Sequence, residues 1–121
     1  DPQDICNAID MLKDGVPNVI TAMNCRRSPY FNLIEVGQDG QINVAKQTPS
    51  HVLRRQDAPA CYDMNASIYI WRREVLITEN KLFLPSTALY VMPEERSWDI
   101  DSPMDWDIVE LLMSQKQNHK A

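Results

Sequence analysis

The pattern of apolar and polar positions predicts a helix near each end of the chain. Apolar residues recur at helical spacing over about residues 2–14, and Gly15 supplies a stop. Near the other end, Ser102 and Asp105 have the spacing of a capping box around Pro103, a residue suited to the first helical position. The helix that follows is expected to fray into a polar tail, and it carries one apolar stripe, formed by Met104, Ile108, Leu111 and Leu112.

Strand patterns follow the first helix. A run rich in β-branched residues predicts a strand over 16–23. Residues 31–36 and 41–45 alternate, and Asp39-Gly40 between them is a strong turn signal, so they are predicted to form a β-hairpin. The polar residues 46–56 indicate a connection. Such a peripheral hairpin either meets a partner or is an ordinary surface arm.

The second half of the chain alternates apolar runs with a short helix. Residues 66–71 form an almost continuous apolar run, which is typical of a strand covered on both faces. A short helix is predicted over 72–78, and two more strands over 81–84 and 87–92, on either side of Pro85. Helices that alternate with buried strands predict an α/β sandwich.

Composition narrows the classes of function. The chain has 121 residues and 44% hydrophobic content, enough for one packed domain. Its net charge of −5 and pI near 4.9 argue against nucleic acid as a partner, which would need a basic stripe. Cys6, Cys25 and Cys61 form no metal-binding pattern and indicate reduced thiols in a cytoplasmic protein. No apolar run approaches the roughly 18 residues of a membrane span.

The segment Arg96-Ser97-Trp98-Asp99-Ile100-Asp101 carries the clearest candidate chemistry. In extended backbone, side chains two residues apart share a face, so Asp99 and Asp101 point together. Hard cations such as Mg²⁺ are often held by one or two carboxylates with substrate phosphates, which favours metal-assisted chemistry on a nucleotide. Alternatively these residues, with Asp105 and Asp107, only stabilise the N-terminus of the last helix. The spacing alone leaves both interpretations open.

Other candidate groups give weaker signals. His51 and His119 lie far apart in polar surroundings, no serine or cysteine stands in a nucleophile motif, and the sequence contains no glycine-rich phosphate loop. The tripeptide Arg54-Arg55-Gln56 could present a guanidinium to a carboxylate or phosphate, or could simply be solvated. Tyr69 and Phe83 are either core residues or ligand contacts.

Three motifs, in this order and spacing, resemble the CMP-sialic acid synthetases, or acylneuraminate cytidylyltransferases. They are Arg54-Arg55-Gln56-Asp57-Ala58-Pro59, Tyr62-Asp63-Met64-Asn65-Ala66-Ser67-Ile68-Tyr69 and Ser97-Trp98-Asp99-Ile100-Asp101. The resemblance covers essentially the whole chain. Within the family, Ser28-Pro29-Tyr30-Phe31-Asn32 and Asp63-Met64-Asn65-Ala66-Ser67 are most similar to bacterial enzymes that act on legionaminic-acid-type nonulosonates.

The resemblance implies a fold and a place within it. The fold is a three-layer α/β sandwich of the nucleotide-diphospho-sugar transferase type with a mixed sheet. The family's phosphate-binding loop precedes the helix that here starts at residue 1, so residues 1–121 are expected to be the C-terminal half of one cytidylyltransferase domain. Residues 28–56 then correspond to a projecting dimerisation hairpin and its connection, which implies a homodimer. The isolated chain is expected to be inactive.

The resemblance also implies roles for individual residues. Asp99 and Asp101 match the family aspartates that bind Mg²⁺ beside the nucleotide phosphates, the catalytic and metal positions. Arg55 matches an arginine that reaches the sugar acid. Tyr69 stands in the place of the tyrosine of the family's Asn-Gly-Ala-Ile-Tyr motif, and it would line the sugar pocket together with Phe83. The full set of implied substrate-binding positions is Arg55, Gln56, Asn65, Tyr69 and Phe83.

The implied reaction is attack of the anomeric hydroxyl of a nine-carbon 2-keto sugar acid on the α-phosphorus of CTP. It forms a CMP-sugar, releases pyrophosphate and depends on Mg²⁺. Leu82 and Asn32 depart from the sialic acid enzymes, so the sugar stays open, and an eight-carbon acid such as Kdo is one alternative. The other is a non-catalytic dimerisation or interaction module that uses the hairpin and ignores the aspartates.

Overall fold

The computed structural model describes residues 1–47 and 55–118, with the side chains of residues 55, 117 and 118 left outside that description. Within these ranges the chain divides into two compact units. The large unit contains residues 1–23 and the chain from residue 64 onward, and the hairpin unit contains residues 24–63.

The first helix of the large unit, α1, spans Pro2–Asp10 and is capped by the side chain of Asp1. It ends about four residues before the predicted boundary. Beyond the helix, Arg72 Nη2 donates to the carbonyl oxygens of Leu12 at 3.1 Å and Lys13 at 2.7 Å. The guanidinium thus satisfies carbonyl groups of the segment that joins the helix to the sheet.

Three strands form the sheet: β1 (Asn18–Asn24), β4 (Tyr62–Trp71) and β5 (Ala88–Val91), in the order β4-β1-β5. β1 and β5 are parallel, with Val19 opposite Ala88. β4 runs antiparallel to β1, since the backbone N–H of Arg72 donates to Pro17 and that of Cys25 donates to Cys61. The predicted α/β class with a mixed sheet is therefore confirmed, whereas the three-layer sandwich stays a prediction.

The centre of β1 supplies most of the core. Its residues Val19, Ile20, Thr21 and Ala22 are all buried. Residues 66–71 were predicted to be covered on both faces, and this was wrong, because they lie in β4 at the edge of the described sheet and Tyr69 remains 36% exposed. The strand predicted over 81–84 was also wrong. Residues 82 and 83 form a bend instead, and a turn follows in which the N–H of Thr87 donates to the carbonyl oxygen of Leu84.

Two more helices complete the large unit. α2 spans Arg73–Thr78 and α3 spans Pro103–Asn118, as predicted apart from a longer C-terminal end. The capping box of α3 is confirmed: the carboxylate of Asp105 accepts from the N–H of Ser102 at 2.9 Å, and the N–H of Asp105 donates to Ser102 Oγ. In the described part of the chain, no helix combines the length and apolar character needed to cross a bilayer.

The hairpin unit contains the predicted hairpin in shorter form. β2 (Ile34–Val36) pairs antiparallel with β3 (Ile42–Val44). Gly40 takes a φ of 78° in the connecting turn, a conformation that glycine adopts without steric cost. At the base of the hairpin, the N–H of Ser28 donates to Asn32 Oδ1 at 2.6 Å. Asn32, one of the two departures from the sialic acid enzymes, therefore has a local structural contact.

Candidate functional site

The two candidate metal ligands lie on the segment that follows β5. A 3₁₀ turn, Glu94–Arg96, leads from the strand into residues 97–101, here called the aspartate loop, and α3 follows. The loop therefore emerges on the carboxyl-end side of the parallel pair β1 and β5, the side on which open α/β sheets bind ligands. Asp99 and Asp101 are both exposed on it.

The carboxylate that caps α3 is that of Asp105, and not that of Asp99 or Asp101. The side chain of Asp105 accepts from the backbone N–H groups of Asp101 and Ser102, and its hydrogen bonds to Ser102 hold the pKa of Asp105 below its usual value. Asp99 Oδ1 accepts only locally in the hydrogen bonds described, from the N–H of Ile100 at 3.0 Å. The capping box accordingly occupies Asp105 and leaves the carboxylates of Asp99 and Asp101 outside it.

This donor set fits magnesium better than a metal that needs a closed protein cage. Within residues 1–47 and 55–118, no three His, Cys, Asp or Glu residues cluster closely enough to hold an ion alone. Two solvent-exposed carboxylates match the common Mg²⁺ arrangement, in which waters and substrate phosphates complete an octahedral shell. Asp99 and Asp101 would hold the ion, and it would neutralise charge on bound phosphates.

Asn65 lies next to the start of the aspartate loop. Its Nδ2 donates to Ser97 Oγ at 3.0 Å and to the sulfur of Met92 at 3.3 Å. Its Oδ1 accepts from Thr21 Oγ1 at 2.7 Å and from the N–H of Ser67 at 3.3 Å. Of the five implied substrate-binding residues, Asn65 is thus the one whose described hydrogen bonds reach the segment that carries the two aspartates.

A second polar anchor holds the turn that carries Phe83. The buried side chain of Asn18 donates to the carbonyl oxygen of Leu82 at 2.8 Å and accepts from Thr87 Oγ1 at 2.8 Å. Thr87 Oγ1 also accepts from the N–H of Leu84. The backbone on both sides of Phe83 is therefore fixed, while the phenyl ring itself is 63% exposed.

Tyr69 lies on β4 and stacks on Trp71, with ring centroids 5.8 Å apart. Both rings present an aromatic surface of the kind that packs against the apolar side of a sugar. The contacts described for Tyr69 join it to Trp71 and not to Phe83. The pairing of Tyr69 and Phe83 in one sugar pocket stays a prediction.

The remaining sequence candidates belong to the hairpin unit or lie outside the described residues. Gln56 is exposed within the 3₁₀ turn Arg55–Asp57, and the side chain of Arg55 is not described. Arg54, His51 and His119 lie outside the described residues. The roles implied for Arg55 and Gln56 therefore stay predictions.

An ion pair behind the aspartate loop was not predicted. Arg96 donates to the buried carboxylate of Asp4 through Nε at 2.8 Å and Nη2 at 2.9 Å, and Tyr90 Oη donates to the same carboxylate at 2.9 Å. Asn7 Nδ2 in turn donates to Tyr90 Oη. This cluster fastens α1 to the end of β5. No local signal could reveal it, because the partners are 92 residues apart and Asp4 alone is typical of any first helical turn.

A groove of about 700 Å³ lies beside this cluster, lined partly by Arg96, Trp98, Leu112 and Met113. It includes none of the predicted site residues. Its lining offers no pair of neighbouring carboxylates on one strand or loop, so the groove does not match the donor set expected for Mg²⁺.

Comparison with known proteins finds relatives, and the two described here match four fifths of the chain. A post-translational flagellin modification protein B of Campylobacter coli is 48% identical over 99 residues, 82% of this chain and 41% of that protein. A CMP-N,N'-diacetyllegionaminic acid synthase of Campylobacter jejuni is 48% identical over 98 residues, 81% of this chain and 40% of that protein. The resemblance to the CMP-sialic acid synthetase family is confirmed.

The family match concerns part of those relatives. The chain spans about two fifths of the length of each of the two relatives named above. No family model matches the chain. The confirmed likeness is to the legionaminic type of CMP synthetase, as the motifs around Asn65 and Ser28 indicated.

Proposed function

We propose that this chain is part of a cytidylyltransferase that transfers CMP from CTP to a nonulosonic acid of the legionaminic type and releases pyrophosphate. The observation that carries the proposal is the 48% identity to a protein named CMP-N,N'-diacetyllegionaminic acid synthase. The exposed pair Asp99 and Asp101 after β5 supports it, since phosphoryl chemistry depends on stabilisation of negative charge.

Each part of the described site has a defined task in this proposal. Asp99 and Asp101 hold Mg²⁺, which stabilises negative charge on the transferring and leaving phosphates. The loop they occupy begins at Ser97, which is buried and donates to the carbonyl oxygen of Pro93. Tyr69, and Phe83 on its anchored turn, offer aromatic surface to the sugar acid.

The aspartates provide the direct test. In the longest natural form of the protein, Asp99→Asn and Asp101→Asn should each lower CMP-sugar formation about 100-fold or more, because each removes a charge that acts on the transition state. The assay uses CTP, Mg²⁺ and N,N'-diacetyllegionaminic acid, with pyrophosphate and the CMP-sugar both measured. Asp107→Asn, the same change at an exposed position on α3, is the matched control and should stay within twofold.

Two results would contradict the proposal. One is an Asp99→Asn protein with wild-type turnover, and the other is a wild-type protein that makes no CMP-sugar. Competition among legionaminic acid, sialic acid and Kdo then tests the sugar, and we expect the highest kcat/KM for the legionaminic acid. Preference for Kdo would move the protein to a different sugar-acid cytidylyltransferase.

The hairpin supports a second, non-exclusive role as a dimerisation arm. Ile34, Val36, Ile42 and Val44 are paired across the hairpin and therefore share one face. Val36 is 68% and Ile42 66% exposed. Isolated exposed apolar residues are common, but a continuous apolar face on a two-stranded hairpin is typical of a contact surface. We propose a homodimer formed through this face.

A further inference from the structure

The carboxamide of Asn65 has no hydrogen-bonding capacity left for a ligand. An amide side chain offers two N–H donors and two acceptor lone pairs. Here both donors are used, by Ser97 and Met92, and both acceptor positions are used, by Thr21 and Ser67. A hydrogen bond to a sugar or nucleotide would require Asn65 to break one of these contacts.

An irregularity in β4 turns this side chain inward. Residues 17 to 25 on the β1 side face residues 61 to 72 on the β4 side, so β4 holds three extra residues between the flanking backbone bonds. Ala66, within this bulge, has a φ of 48°, which is unusual for a residue with a Cβ. Thr21 Oγ1 fills the gap and accepts from the N–H of Ile68 at 3.1 Å. A bulge of this kind re-aims side chains.

The other end of the contact is the first residue of the aspartate loop. Ser97 is buried, with 6% of its surface exposed, and its Oγ donates to the carbonyl oxygen of Pro93 at 2.8 Å. It also accepts from Asn65. Ser97 is therefore held from both sides, and Asp99 follows two residues later. The aspartate loop is thus held at its start by Ser97 and at its end by Asp105, which accepts from the N–H of Asp101.

We propose that Asn65 is a positioning residue, which fixes the aspartate loop through Ser97 and so sets where Asp99 and Asp101 meet the metal and phosphates, instead of contacting the substrate itself. The inference rests on the proposed function for the purpose of the loop, but the link between Asn65 and the loop stands on geometry alone. Thr21, buried in the centre of β1, ties the link to the core.

The test compares Asn65→Ala, Ser97→Ala and the double variant in the longest natural form of the protein. The matched control is Ser114→Ala, which removes an exposed hydroxyl that donates to Glu110 on α3. Amide hydrogen exchange reports the order of residues 98–101 without any need for activity. Steady-state kinetics report the Mg²⁺ concentration for half-maximal rate separately from the KM for the sugar acid.

If Asn65 acts by positioning the loop, the loss of either side chain of the hydrogen bond, Asn65 or Ser97, should have the same effect. Exchange over residues 98–101 should become about tenfold faster in both single variants, the effect of one lost buried hydrogen bond, and the double variant should add little. The half-maximal Mg²⁺ concentration should rise about tenfold in both, while the KM for the sugar acid at saturating Mg²⁺ stays within twofold. Ser114→Ala should change neither quantity.

Opposite results would overturn the inference. If Asn65→Ala raises the KM for the sugar acid while Ser97→Ala is silent, Asn65 is a substrate contact. If exchange over residues 98–101 is unchanged in Ser97→Ala, the hydrogen bond between Asn65 and Ser97 does not order the loop. Faster exchange in Asn65→Ala alone would then be due to a disturbed bulge in β4. A wild-type protein without CMP-sugar synthesis refutes the proposed function instead, and the exchange comparison still decides whether Asn65 orders the loop.

Discussion

At the scale of single residues, the contacts of Asp4 stand out because a fully buried carboxylate must be paired to remain charged. The guanidinium of Arg96, followed by the hydroxyl of Tyr90, outweighs the effect of burial and lowers the pKa of Asp4 to about 2. The same contact raises the pKa of Arg96. Both groups therefore stay ionised across the physiological range, and the pair joins α1 to the end of β5.

This pair makes stability depend on acid pH. Because the folded-state pKa of Asp4 is depressed, its stabilising effect is complete above about pH 4, the ordinary pKa of aspartate, and is lost as the pH falls toward 2. Asp4→Asn should lower the free energy of unfolding at pH 7 by about 2 kcal/mol and flatten its fall between pH 4 and pH 2. Urea denaturation at a series of pH values measures both.

The control for this experiment is Asp10→Asn, an exposed aspartate on the same helix. It should keep the wild-type pH profile and lose little stability. An Asp4→Asn protein with the wild-type slope between pH 4 and pH 2 would show that other carboxylates carry the acid sensitivity.

Ala66 provides a second prediction at this scale. Its φ of 48° costs a residue with a Cβ roughly 1 kcal/mol, and the corresponding position of the family motif Asn-Gly-Ala-Ile-Tyr is glycine. Ala66→Gly should therefore raise the free energy of unfolding by about 0.5–1 kcal/mol, measured by chemical denaturation. Ser67→Gly, one residue further along the strand, should lower it, and the opposite order of the two effects would contradict the bulge geometry.

Individual site residues differed in how far the sequence could predict them. Short-range spacing predicted the capping box of Ser102 and Asp105 correctly. The spacing of Asp99 and Asp101 gave only a candidate metal pair, whose role stays a prediction. The contacts of Asn65 and Asp4 were not predictable, because they join segments 32 and 92 residues apart through side chains that have no distinctive local pattern.

At the scale of elements, alternation and turn chemistry predicted the hairpin well. Asp39-Gly40 lies in the turn that joins β2 to β3, and Gly40 has the expected positive φ. Element ends were less predictable, since tertiary contacts set them. Arg72 holds the segment after α1, and Asn18 with Thr87 holds the turn around Pro85, through contacts that span long sequence separations.

The apolar face of the hairpin leads to a prediction about assembly. Val36→Asp or Ile42→Asp should weaken the proposed homodimer at least tenfold, because each places a charge in the centre of the buried surface. Analytical ultracentrifugation over a range of concentrations measures the change. Asn43→Asp introduces a carboxylate on the opposite face of β3 and should leave the dimer intact. A wild-type protein that stays monomeric at high concentration would rule out this role for the hairpin.

At the scale of the whole molecule, the α/β class with a mixed sheet could be predicted from the alternation of helices and strands. The resemblance, carried by three short motifs, predicted the family that the two Campylobacter relatives confirm. Burial was harder to predict at this scale. The continuous apolar run in β4 indicated a central strand, but apolar composition does not determine which strands flank it, and β4 lies at the edge of the described sheet.

The chain covers about two fifths of the length of its described relatives, and this leads to a prediction about its activity. The match to the CMP-N,N'-diacetyllegionaminic acid synthase covers 98 residues of this chain and 40% of that protein, so we expect this chain alone to make no CMP-sugar, even with CTP, Mg²⁺ and the sugar acid at saturating concentrations. The same assay on the longest natural form is the positive control. Turnover by the 121-residue chain alone would show that it holds a complete site.

The bulge in β4 also affects how the protein behaves among its own copies in solution. A regular ten-residue strand at a sheet edge is a template on which a second chain can add a strand and begin an aggregate. In β4 the N–H of Ser67 instead donates to the side chain of Asn65 two residues earlier, and Ala66 has a positive φ, so the regular extended backbone that such a template needs is interrupted. The irregularity that turns Asn65 toward Ser97 therefore also makes β4 a poorer template for a second copy of the chain.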